Sequence, residues 1–377
     1  MTDEVGVVGA GPGGAAAALA LARAGAGVTL YRPARMGEKP CGGAIPDAFL
    51  PAIDGFDPTA RAAPSVEPRR LVLENAAGSC VEVESPGLRV FRRADFDAAL
   101  ARAAVAAGAK LVASRVEAVD FAPDGVEVRA GGARRRHAYV VAADGARGLV
   151  RRSLALAPGA ESVGLGASLG GPVPDRLALG FPDLADAYCW VFPRPGGASV
   201  GIAYDAARLS HGAARAALDR FLDRHLDGGR SSLDHARRYR YPIPIWSAAT
   251  RAAAQQALRA RVLLVGDAAG VADPLTREGI RYALLSGRWA AESLLAGAGE
   301  SYPDRLDDGL APELARAGRA ARLFYDEPLA QWMVPMARRH PGIRSVLGDL
   351  LTCRQTYRGL RRTLLRAAVG RYALPRQ

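Results

Sequence analysis

Gly9, Gly11 and Gly14 stand at G-x-G-x-x-G spacing, directly after the apolar run 4–8 and at the start of an Ala/Leu-rich stretch that runs to about Ala24. Between a strand and a helix, the first glycine permits the turn and the second lets a pyrophosphate approach the backbone. The third lets helix and strand pack closely. A merely tight βα turn would use the same residues, so the pattern points to dinucleotide binding through its context. The adenosine ribose ordinarily meets an acidic residue at the end of the second strand. Here Arg32 holds that place and cannot accept a hydrogen bond. Either Glu38 or a backbone carbonyl binds the ribose, or Arg32 meets the adenine or a phosphate.

Two further stretches carry chemistry. "EKPCGGAIP" (38–46) places Cys41 two residues after Lys39 and directly before Gly42 and Gly43. "YCWVFP" (188–193) alternates Tyr188, Trp190 and Phe192, which puts three aromatic rings on one face of a strand. Plain core packing would favour Val and Ile there, although buried aromatics are common enough to keep that reading open. None of His137, His211, His225, His235 and His340 falls in a motif, so histidine is a poor candidate for acid–base work.

The elements that must position these residues follow from the pattern. Residues 4–31 read as strand, glycine turn, helix, strand. Short strands are expected over 68–91, a helix over 94–107, and strands over 110–120, 125–129 and 137–142. Gly/Pro-punctuated β segments follow Arg151, with an amphipathic helix near 211–226 and an edge-like strand at 238–246. The run 261–270 is a buried strand ending in a glycine turn, and from about Glu278 the chain reads as helical. We expect an α/β fold in which a Rossmann-like nucleotide-binding domain (1–155 with 258–300, including the β segments 68–91) is interleaved with a β-rich substrate domain (156–257). A helical region (301–377) completes the chain.

The 377 residues suffice for a deep site, and 49% apolar content describes a globular protein. The formal charge of +12 comes almost wholly from arginine, since Lys39 and Lys110 are the only lysines. With no recognition-helix or base-stacking motif, this is not a nucleic-acid footprint. Cys41, Cys80, Cys189 and Cys353 form no CxxC pair, which argues against a zinc site or a disulfide framework and for a reducing compartment. A strand beginning within the first residues leaves no room for a signal peptide, and no apolar run is long enough to span a membrane. The expected location is cytoplasmic. The basic amphipathic segment 354–372 could lie on the inner membrane face, or could simply pack on its own domain.

Taken together, these motifs with "VVAADGARGLVRR" (140–152) and "GDAAGVADPLTREGI" (266–280) resemble the FAD-dependent oxidoreductases of the p-hydroxybenzoate hydroxylase fold, and within them the geranylgeranyl reductase family. The resemblance implies FAD contacts at Gly9, Gly11, Gly14, Arg32, Lys39, Cys41, Gly42, Gly43, Arg93, Asp144, Gly145, Gly266, Asp267, Pro274, Gly279 and Ile280. The family's Asp-Pro-Leu-Thr-Gly-Glu-Gly-Ile segment has glycine where this chain has Arg277, which either faces the flavin or is an ordinary surface arginine. The resemblance also implies a prenyl-lining signature at Tyr188, Trp190, Phe192 and Pro193. Cys41, Tyr188 and Trp190 are the candidate catalytic residues, with no metal. For Cys41, the open roles are a proton donor or flavin-tuning thiol, an apolar spacer, and a redox partner of Cys189. The implied activity is saturation of isolated C=C bonds in a polyprenyl lipid, with NAD(P)H or ferredoxin as electron donor. A flavin monooxygenase acting on an apolar substrate, or a halogenase, is the alternative; a flavin-bearing lipid carrier is a third.

Overall fold

The computed structural model describes residues 4–369 other than 36, 49–61, 86, 158, 173, 327 and 328. Residues 370–372, the end of the amphipathic segment named above, lie outside the described residues. The first sheet is parallel, in the order β18 (Val262–Leu264), β12 (Tyr139–Ala142), β1 (Val5–Val8), β2 (Val28–Tyr31), β8 (Lys110–Val112). Its inner strands are buried because helix α1 (Pro12–Arg23) and the antiparallel strands over 116–137 pack against them.

Helix α1 (Pro12–Arg23) packs between α2 (Arg93–Ala106) and α6 (Ile280–Leu295). The crossing with α6 is backbone on backbone, since a Cβ on Gly287 would stand 2.0 Å from the Gly13 carbonyl oxygen. Strand β18 and helix α6 thus return to the N-terminal sheet from more than a hundred residues downstream.

A second sheet has seven strands, ordered β17 (Arg237–Pro244), β13 (Glu161–Gly170), β16 (Gly197–Tyr204), β15 (Ala187–Arg194), β14 (Leu177–Phe181), β5 (Arg70–Asn75), β6 (Cys80–Glu84). All neighbours are antiparallel except β14 and β5. The expected edge strand over 238–246 is indeed the outermost, β17. Grouping 68–91 with the nucleotide-binding domain requires correction: β5 and β6 extend the substrate-side sheet. Leu71, Leu73, Val81 and Val83 share one face, which packs under the C-terminal helices rather than under α1, while Val72 faces the opposite side.

Two small three-stranded sheets complete the β structure. One is β11 (Ala133–His137), β10 (Gly125–Ala130), β9 (Val116–Ala122); the other is β3 (Ala44–Pro46), β7 (Leu88–Phe91), β4 (Ser65–Val66). One face of the seven-stranded sheet carries α4 (His211–His225), and the other meets α8 (Leu329–Arg339) and α9 (Pro341–Leu351). The remaining helices are α3 (Leu149–Ser153), α5 (Ala249–Arg259), α7 (Tyr302–Tyr325) and α10 (Leu360–Ala368).

Candidate active site

The parallel sheet and the seven-stranded sheet meet at a cavity, and their walls differ in kind. On the first side stand Gly11 and Gly13 at the start of α1, Gly145 after β12, and Gly266 and Asp267 in the turn after β18. Gly279 and Ile280, at the start of α6, complete that side. The start of α1 has neither a side-chain cap nor an acidic residue in its first turn, whereas the start of α6 is met by Glu278, whose carboxylate accepts the Arg281 N–H at 2.6 Å. A Cβ on Gly11 would approach nothing closer than Asp97 Oδ2 at 4.0 Å, so this backbone is bare toward the cavity.

Gly9 and Gly14 build the turn from behind: a Cβ on Gly14 would stand 1.9 Å from the Gly9 carbonyl oxygen. Asp144 also works from behind. Its Oδ2 accepts the Val150 N–H at 2.9 Å, its buried Oδ1 has no hydrogen-bond partner among the described residues, and burial raises its pKa.

On the second side, β15 turns Tyr188, Trp190 and Phe192 into the cavity. Tyr239, Tyr241 and Ile243 of β17 join them, a set the sequence reading took only as an edge strand. Their period-two alternation was the available signal.

The loop carrying Cys41 lies between the walls and is tied to the second. Trp190 Nε1 donates to Ser199 Oγ (3.2 Å), which donates to the Cys41 carbonyl (2.9 Å). Gly42 lies so close to the Phe192 ring that a Cβ there would come within 2.5 Å. Cys41 itself is half-buried, and its Sγ accepts the Gly43 N–H at 3.3 Å.

Charged groups in the wall are paired. Lys39 Nζ is 2.7 Å from Asp267 Oδ2 and sits 5.6 Å from the centre of the Tyr241 ring. Burial works against the Lys39 ammonium, but Asp267 outweighs it and its pKa rises. Arg93 and Asp97 form a bidentate pair at 2.9 and 2.8 Å, with both side chains buried. Tyr188 Oη donates to the Thr276 carbonyl at 2.9 Å, and burial lifts its pKa far above the ordinary phenol value.

Several sequence expectations are corrected. Pro193 points away from the cavity, sharing the opposite face of β15 with Cys189 and Val191. Cys189 packs there among Val72, Ile202 and Phe221, which removes it as a redox partner of Cys41. Pro274 is buried toward Gly318 of α7, and Gly43 faces the Phe91 carbonyl; neither lines the cavity. Arg32 stands at the end of β2 outside the wall, with a buried Nε that has no partner among the described residues. Glu38 is committed elsewhere: it accepts the Arg93 and Ala94 N–H groups at 3.0 Å each, capping α2, and pairs with Arg194 at 2.7 Å. Arg277 is buried and lines the cavity, so it is not a surface arginine.

No histidine lines the wall. His137 hydrogen-bonds Tyr31 in the core at 2.7 Å, and His225 meets Glu74 at 2.6 Å. Among the described residues no group of His, Cys, Asp and Glu is arranged to hold a metal ion, and no helix is long and apolar enough to cross a membrane.

No protein-family model matches the chain. It is 30% identical over 323 residues to a chloroplastic geranylgeranyl diphosphate reductase of Oryza sativa subsp. japonica, spanning 78% of this chain and 66% of that one. Among solved structures, it resembles a geranylgeranyl bacteriochlorophyll reductase-like protein of Thermoplasma acidophilum with a TM-score of 0.72, at 21% identity over 97% and 99% of the two chains. A flavin-dependent brominase shares the fold with a TM-score of 0.65, at 16% identity over 97% and 99%.

Proposed function

The chain belongs to the geranylgeranyl reductase-like FAD-dependent oxidoreductases, and from that premise we propose that it saturates isolated C=C bonds of a polyprenyl group in the cavity between its two walls. The observation that carries the reading is the meeting in one cavity of a bare glycine wall, an aromatic strand face and a thiol loop hydrogen-bonded to that face.

The first wall suits a flavin dinucleotide. The uncapped start of α1 at Gly11 would receive the pyrophosphate, Asp267 the ribityl hydroxyls, and the start of α6 at Gly279 and Ile280 the ring edge. Gly42 lets the Cys41 loop pass close to a flat ring and to Phe192. FAD, when bound there, supplies the hydride.

The chain's own residues supply the rest. Tyr188, Trp190, Phe192, Tyr239 and Ile243 hold an apolar chain and exclude water. An isolated trisubstituted alkene is unpolarised, so a proton must reach one carbon as hydride reaches the other. Cys41 is our choice of donor: its Sγ already accepts the Gly43 N–H, which leaves the S–H proton to donate. The Tyr188 hydroxyl, committed to Thr276, positions that side of the wall instead.

The electron donor we assign to the same reading is NAD(P)H or ferredoxin. A peripheral membrane contact would deliver the lipid. Leu365 and Val369 beside the basic face of α10, and Leu329, Trp332 and Met336 on α8, are exposed apolar side chains suited to it. Flotation with anionic vesicles tests that contact, and failure to float removes it.

The reaction is tested by photoreducing the FAD-loaded protein without oxygen and adding geranylgeranyl lipids. Flavin reoxidation accompanied by a gain of two hydrogens per double bond is expected. Reoxidation only with oxygen, with an oxygen atom added to the lipid, would replace this reading with a monooxygenase. A flavin that stays reduced with every prenyl lipid would overturn the reductase reading.

A further inference from the structure

Arg277 is the one wall residue whose backbone is at odds with its side chain. Its φ is 60°, the left-handed region that favours glycine. A side chain there is unfavourable unless something holds it. Asp186, itself at φ 52°, pairs with the Arg277 NH2 group, and the guanidinium carbon lies 5.1 Å from the centre of the Tyr325 ring.

The result is an arginine 8% exposed, lining a cavity beside Tyr188 and Trp190. Its buried Nε has no hydrogen-bond partner among the described residues. A buried N–H that finds no acceptor is costly, whereas one met by a ligand oxygen is not. The nearby Tyr188 hydroxyl is already used on Thr276 and the Trp190 indole N–H on Ser199, so beside these two rings the free donor is Arg277 Nε, with the Tyr239 hydroxyl the other unpartnered donor of this wall among the described residues.

Building on the prenyl-reductase reading, we propose that Arg277 selects prenyl substrates carrying a neutral oxygen acceptor, a carbonyl or ester oxygen, over both bare hydrocarbons and diphosphates. The hydrocarbon loses because it leaves Nε unmatched. The diphosphate loses because the charge of Arg277 is already balanced. Asp186 pairs with it, and Asp273, buried at 2% exposure, stands behind the same turn, accepting the Leu275 and Thr276 N–H groups and the Tyr357 hydroxyl. The other wall cations are paired as well, Lys39 with Asp267 and Arg93 with Asp97. An added anion would therefore meet two carboxylates and no unbalanced cation.

The test is equilibrium titration of the FAD-loaded protein with geranylgeranyl acetate, geranylgeranyl diphosphate and an unsubstituted isoprenoid hydrocarbon of the same length, followed by tryptophan fluorescence. The acetate should bind tightest. Arg277→Gly, which suits the local backbone, should weaken the acetate by about 10-fold while leaving the hydrocarbon unchanged or tighter. Asp186→Asn, which keeps the arginine but removes its counter-charge, should raise diphosphate affinity several-fold relative to acetate.

Equal shifts for acetate and hydrocarbon in Arg277→Gly would overturn the proposal. So would a diphosphate that binds the native protein best, or a diphosphate-to-acetate ratio unmoved by Asp186→Asn. Failure of the reductase reading looks different: the affinities would follow this order, yet no lipid would gain hydrogen under anaerobic conditions. Conversely, hydrogenation of all three ligands with equal affinities would keep the reductase and remove the selectivity.

Discussion

The two walls of the cavity achieve shape by opposite means. The wall carried by the parallel sheet is made of backbone: Gly11, Gly13, Gly145, Gly266 and Gly279 present peptide groups and helix starts. The wall carried by the seven-stranded sheet is made of side chains, with Tyr188, Trp190 and Phe192 from β15 and Tyr239, Tyr241 and Ile243 from β17. A backbone wall can bind the same group whatever side chains surround it. A side-chain wall can be retuned one residue at a time, which is how fold relatives of unlike chemistry share one frame.

The sharpest break in the comparison is Gly14→Val. A Cβ there meets the Gly9 carbonyl oxygen at 1.9 Å, so the turn must open. We expect FAD retention to fall by at least ~100-fold, measured by flavin absorbance after gel filtration. Retention within a few-fold of native would show that the glycine wall is not where the dinucleotide binds.

Next in size is Arg93→Met, which strands the buried Asp97 carboxylate. A loss of about 3–5 kcal/mol in urea unfolding is expected, largely restored in the double variant with Asp97→Leu. A small loss in the single variant would mean that the pair is not buried as described.

Cys41→Ala tests the loop joining the walls. Anaerobic prenyl reduction should slow by ~100-fold or more, with FAD content and photoreduction unchanged. A native rate would leave the thiol as an apolar spacer.

The smallest effect lies at the far edge of the second sheet. Burial alone would raise the Glu74 carboxyl, but hydrogen bonds from His225 and Arg224 outweigh it and lower its pKa below 4.5. A carboxyl lowered in the folded state contributes stability that is present above its unfolded value and lost as pH falls through the folded one. Glu74→Gln should therefore be less stable at neutral pH by ~1–2 kcal/mol, and should lose less stability on acidification below about pH 4.5. Parallel pH profiles for the two proteins would contradict the assignment.

How much of this could be read from the residues follows the same division. "GAGPGG" and "GDAAG" are legible because a backbone wall is written in local glycine spacing. "YCWVFP" is legible because strand faces alternate, and the same parity already separates Cys189 and Pro193 from Trp190. What escaped depends on distant pairing. Strand β5 joins β14 across about a hundred residues with no local mark of its partner. Glu38 caps a helix whose first residues are Arg93 and Ala94, more than fifty positions on. Tyr239 and Tyr241 sit on a strand that is both an edge and a wall, and only the first half of that description shows in its composition. Arg277 faces inward because Asp186 and Tyr325 hold it there, and neither is near it in sequence.

The central claim is that one wall holds the flavin while the other holds the prenyl chain to be reduced. Trp190→Leu tests it most directly, by following FAD content, photoreduction and lipid mass gain on one anaerobic sample. The account predicts native FAD content and photoreduction with lipid reduction lowered by ~10-fold or more. Lipid reduced at the native rate, or FAD lost along with the tryptophan, would contradict it.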